Sequence, residues 1–146
     1  MATFDTARLY GGRDVMDFGE GEDLIRVWFH HAQPEEVAIA LDAAGLEQDG
    51  ETIGAKGGGG DYVVASRLVA ASVELAALCI EGMENYDHWP EKPRMRAPHG
   101  LMTLRTEVRE RIPRVVLRDV GERIFEKSRL SPDEGKASER SLSLDS

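Results

Sequence analysis

The stretch Ile53–Tyr62, IGAKGGGGDY, holds the residues best suited to phosphate chemistry: four consecutive glycines with Lys56 before them and a helical pattern after them. A phosphate-binding loop of the G-x-x-x-x-G-K-[ST] kind needs the lysine and a hydroxyl residue after the glycines, on a turn that leaves a buried strand. Here the lysine comes first, Asp61 stands where a hydroxyl residue would, and the preceding strand is weak. A carboxylate at the helix entrance repels phosphate. The dinucleotide pattern G-x-G-x-x-G fails as well, because Asp61, Tyr62 and Val63 follow the glycines. Gly57–Gly60 therefore reads as a hinge, with Asp61 expected to cap the next helix.

Other reactive side chains give no recognised constellation. His30 and His31 are adjacent, so on a strand they point to opposite faces and cannot chelate one ion together. His88 and His99 lie in a proline-rich connection. Cys79 is the single cysteine, which excludes an intrachain disulfide. Its neighbours Leu75, Ala76, Leu78 and Ile80 suit a core thiol. No Gly-x-Ser-x-Gly elbow is present, and Glu35-Glu36 and Glu20/Glu22 suit a helix start and a turn. No catalytic, cofactor or metal residues are expected.

Charge is the stronger signal. The net charge is −9, but residues 1–91 hold 18 acidic and 5 basic side chains, whereas residues 92–129 hold 5 acidic and 11 basic. The basic segment can meet acids within the chain, in a second copy or in a partner. Arg105, Arg109 and Arg118 are the candidates for polar contacts at a partner's edge, and Trp28, on the more polar face of a predicted strand, is a candidate apolar contact. Nucleic acid ranks below protein as the partner, because the chain is acidic and no aromatics interleave with the arginines.

These residues need elements to position them. A length of 146 residues fits one domain with a real core, and 41% hydrophobic with 31% charged residues is a globular composition. The first residues lack a basic-then-apolar pattern, so no secretory leader is expected, and no segment reads as apolar enough to span a bilayer. Thr6–Tyr10, Val15–Phe18 and Leu24–His31 read as strands, with Gly11-Gly12 a turn and Ile25, Val27 and Phe29 on one face. Pro34 opens a helix that ends at Gly45 in a left-handed cap. Residues 46–60 read as a flexible Gly-rich loop, with at most a short strand at 51–53. A long central helix is expected over about residues 62–86, with Val64, Leu68, Ala71, Leu75 and Leu78 as its stripe and Val69, Val73 and Ile80 widening it. Pro90, Pro93 and Pro98 force an extended connection. Leu101, Leu104, Val108 and Ile112, then Val116, Val120 and Ile124, mark two more helices broken at Pro113. Ser131–Glu134 has a capping-box pattern. The fold class expected is α+β, mainly α: a small N-terminal β meander followed by a helical body of about four helices. Residues 1–136 read as a single globular domain, made of a β-rich unit with the first helix (1–45), the loop (46–60) and the helical body (61–130). Residues 137–146 read as a flexible tail.

The run "LAALCIEGMENYDHWPEKP" and the later "IFEKSRLSPDEGKASERS" carry a family likeness. The first ends a core helix in an acidic, Trp-containing loop, Glu81–Trp89. The second matches an "S-x-L-[ST]-x-x-E" tail at Ser128–Glu134. Over about residues 60–136, and less surely over 24–45, the chain resembles the tail assembly chaperones of long-tailed bacteriophages. The basic bias of 92–129 departs from that pattern. The resemblance implies a non-enzymatic protein of the bacterial host cytoplasm that binds the tape-measure protein, keeps it soluble and helps recruit tail-tube subunits. A longer frameshifted product accompanies many such proteins. The other classes are a small nucleic-acid-associated regulator using the arginine-rich helices 101–129, and a nucleotide binder or hydrolase using 53–62.

Overall fold

The computed structural model of the chain describes residues 13–50, 52–87 and 89–129. The expectations for Thr6–Tyr10, Gly11-Gly12, His88, Ser131–Glu134 and the 137–146 tail lie outside them. Element order is β1 (Asp14–Phe18), a 3-10 turn (Gly21–Asp23), β2 (Ile25–Phe29), α1 (Pro34–Ala43), β3 (Leu46–Asp49), β4 (Thr52–Ala55), α2 (Asp61–Cys79), β5 (Ile80–Glu84), β6 (Arg94–Arg96), β7 (Met102–Leu104), α3 (Thr106–Arg109) and α4 (Arg114–Arg129). The class is α+β, with small antiparallel sheets and four helices.

β2 forms the centre of a three-stranded antiparallel sheet, in the order β1-β2-β5. Its alternation works as the pattern requires: Val27 and Phe29 are buried at 0% and 1% exposure. The third strand corrects the sequence reading, since the long helix stops at Cys79 and residues 80–84 are extended. The apolar run Leu78-Cys79-Ile80 fits either period, and pairing with β2 decides it. Gly82 sits opposite Trp28 in this pairing, and a Cβ on Gly82 would lie 2.0 Å from the indole ring. Trp28 thus covers the neighbouring strand. Asn85, in the left-handed region at φ 61, donates its side-chain amide to the carbonyls of Glu22 and Leu24 at 2.7 and 2.8 Å. It fastens the end of β5 to the turn before β2.

α2 is the core element, as expected. Ala71–Val73 and Leu75–Cys79 are buried, and it packs chiefly on α4 and α1. Leu75 is wholly buried, Leu78 nearly so, and Leu68 and Val64 are half-buried, but Val69 is 37% exposed and does not widen the core face. By length and a mean hydropathy of 1.6, α2 meets the measure of a membrane-crossing helix, which corrects the expectation that no segment does. A helix surrounded by other elements has the same apolar content. Gly60, not Asp61, is its N-cap, and Asp61 is the first helical residue, where its charge suits the dipole.

Leu46–Asp49 and Thr52–Ala55 are not loop but paired strands, with Leu46 opposite Ala55 and Asp49 opposite Thr52. The proline-rich connection likewise contains a hairpin, β6–β7. Arg94 anchors it by donating to the carbonyls of Ile80 (2.5 Å) and Leu78 (2.9 Å). This places a cation at the negative end of α2. Leu101 to Ile112 is not one helix: Met102–Leu104 is a strand and α3 has only four residues, although Leu104, Val108 and Ile112 are all buried. α4 matches its stripe, with Val116, Val120 and Ile124 buried against α2, whereas Val115 is 49% exposed.

Candidate functional site

Gly57, Gly58 and Gly59 have φ of 82, 83 and 123, a path few other residues could follow. The Lys56 ammonium turns to Asp42 on α1, and its amide donates to Gly45 O at 2.9 Å. Arg67 donates to the carbonyls of Gly45 and Lys56 at 2.9 and 3.1 Å, tying α2 back to the hairpin.

A charged network lies where β2, α1 and β5 meet. His30 follows β2, and its Nε2 lies 2.7 Å from Glu36 on α1 while Nδ1 lies 2.6 Å from Glu81 on β5. The other Glu36 oxygen accepts from the Gln33 amide at 2.8 Å, closing the start of α1. Glu81 also pairs with Arg13. Two carboxylates on one ring favour the imidazolium: the Glu36 hydrogen bond raises the His30 pKa against the opposing effect of burial. Burial raises the pKa values of both carboxylates, and their partners outweigh it, so both end below the usual value. Ligand atoms of His30, Glu36 and Cys79 lie within 4.8 Å of one another, a spacing that could hold a metal ion. The ring and the carboxylate already satisfy each other. Burial, the largest cause, pushes the Cys79 thiol far up, away from the thiolate a metal needs. The sequence reading weighs His30 only beside His31 and Glu36 only beside Glu35, and does not group either with Glu81. Their separation in the chain left no spacing signal.

The basic segment mostly meets partners inside the chain. Arg109 on α3 pairs with Glu74 on α2, Arg118 with its neighbour Asp119 at 3.2 Å, and Arg105 donates to the Lys92 carbonyl at 2.9 Å. Lys127 and Arg123 on α4 reach Asp14 on β1 at 2.5 and 3.8 Å. Trp28 lies on β2 against Gly82, Arg105 and Arg109 at the start and end of α3, and Arg118 on α4.

The structure forms a two-lobed cleft that sequence spacing did not point to. The larger lobe, about 1270 Å³, lies between α1, the β3–β4 hairpin and the end of α4; Val37, Leu41, Ile53 and Phe125 give it an apolar lining. The smaller, about 480 Å³, lies between α2 and α4 and includes Leu68 and Val69. Ile53, Phe125 and Glu126 belong to both lobes. Lys56 and Lys127, on the border of the larger lobe, are paired with Asp42 and Asp14. Glu47, Glu122 and Glu126 are exposed and have no ion-pair partner among the described residues.

No protein-family model matches the chain, and neither a curated protein nor a solved structure matches it.

Proposed function

We propose that the chain is a non-enzymatic assembly chaperone of the phage-tail kind, acting in the cytoplasm of the bacterial host. Its client is the tape-measure protein, a long helical chain with apolar stripes, and it helps recruit tail-tube subunits to that client. One observation carries the reading: an open, largely apolar cleft walled by three helices. An unassembled helical client exposes an apolar stripe that drives aggregation, and a helix-walled groove can cover such a stripe. The likeness at Glu81–Trp89 and Ser128–Glu134 supports the same class.

The test is co-expression with the product of a neighbouring gene that encodes a very long helical protein. The partner is expected to be soluble only in the presence of this chain, and the two are expected to elute together on gel filtration. Equal solubility with and without it, and no joint peak, would reject the chaperone reading.

A further inference from the structure

The cleft selects its occupant by charge as well as by shape. Its lining comes from α1, α2 and α4 with the β3–β4 hairpin between them, and Ile53 and Phe125 form the part common to both lobes. A helix presents large side chains one turn apart on one face, so neighbouring knobs can enter the two lobes. The border is acidic in effect. Its two lysines already pair within the chain, while Glu47, Glu122 and Glu126 carry no ion-pair partner among the described residues. Among the residues that line the two lobes, Asp42, Glu47, Glu122 and Glu126 are acidic and Lys56 and Lys127 are basic. A helix with basic residues beside its apolar stripe complements this border, and one with acidic residues there is repelled.

Resting on the assembly reading above, we infer that the cleft is the client site and that it takes an amphipathic helix whose apolar stripe is bordered by lysine or arginine. Ala38 is the cleanest probe. It lines the cleft and is exposed on α1, so a charge placed there blocks the apolar floor without entering the core.

Two synthetic helical peptides with the same leucine stripe, one bordered by lysine and one by glutamate, serve as ligands for the full-length protein in fluorescence anisotropy. The lysine peptide is expected to bind about tenfold more tightly at low salt, with the advantage shrinking as salt rises. Ala38→Glu is expected to weaken binding of both peptides at an unchanged melting temperature. The combined Glu47→Lys, Glu122→Lys and Glu126→Lys variant is expected to reverse the preference. Equal affinity for the two peptides, or full binding by Ala38→Glu, would overturn the inference. So would a dimer dispersed by Ala38→Glu when neither peptide binds, because the occupant would then be a second copy. The two readings fail separately. A client that co-expression keeps soluble equally well with wild type and Ala38→Glu removes the cleft assignment and leaves the chaperone. A client insoluble with wild type removes the chaperone, while the peptide preference still reports on the cleft.

Discussion

The Nε2 of His30 lies 2.7 Å from a Glu36 carboxylate oxygen, joining the end of β2 to the first turn of α1. Glu81 holds the other ring nitrogen, with Arg13, Arg94 and Cys79 as the remaining ionisable neighbours. The His30 pKa is raised in the folded chain, so its stabilisation is complete below the ordinary value of 6.5 and is lost as pH rises through the higher folded value. Glu36 and Glu81 are lowered, so their contribution is present above 4.5 and is lost as pH falls through their folded values. This network favours the fold most between those limits. Because the ring is partly exposed, His30→Gln is expected to lower stability near pH 6 by about 1–3 kcal/mol, between the values of exposed and buried pairs. It should also flatten the alkaline limb of a urea-midpoint profile. An unchanged limb would mean that His30 does not carry it.

Gly121 on α4 marks the closest approach of two helices, since a Cβ there would lie 1.8 Å from the Ser72 carbonyl oxygen on α2. Backbone cannot step aside as a side chain can. Gly121→Ala should therefore force the helices apart and destabilise by about 1–3 kcal/mol or more, read from urea midpoints. A neutral outcome would mean that the α2–α4 crossing is wider than described.

The middle of α2 was readable from its stripe alone. Leu75 is wholly buried, and Leu75→Ala is expected to reduce stability by about 2–5 kcal/mol. A change below about 0.5 kcal/mol would put that face on the surface.

Legibility followed how far apart the deciding residues lie. The Pro34 start and Gly45 end of α1 are local signals, and Gly45 does adopt φ 76. The β3–β4 hairpin carries a local turn signal too: Asp49-Gly50, with Gly50 at φ 65. Its strands expose most of their polar residues, which gave them the look of a loop. The switch from α2 to β5 had no decisive local signal, because it depends on Val27, Trp28 and Phe29 about fifty residues earlier. The cleft was hidden for the same reason: Val37, Ile53, Leu68 and Phe125 meet only after folding.

Lys56 offers a direct test of the glycine stretch. Its ammonium faces Asp42 in an exposed ion pair, a contact worth about 0–1 kcal/mol. Lys56→Ala should change the melting temperature little, and neither ATP nor GTP should raise it for wild type or variant. A nucleotide-dependent rise lost in the variant would return this segment to phosphate binding.

Substitutions at Arg105, Arg109 and Arg118 test whether the cleft or these arginines form the client surface. Arg109 bridges α3 to Glu74 on α2, Arg118 meets Asp119 on its own helix, and Arg105 is held to the Lys92 carbonyl. Reversing their charge removes these intrachain contacts and sets Glu74 and Asp119 against like charges. Partly exposed pairs of this kind are worth about 0.2–1 kcal/mol each, so the triple reversal is expected to lower the melting temperature by a few degrees. If clients bind in the cleft, affinity for the lysine-bordered peptide should stay within about twofold, since none of the three arginines lines either lobe. The measurement is anisotropy at a temperature where the variant remains folded by circular dichroism. A loss of affinity that fades as salt rises would move the client contact to these arginines.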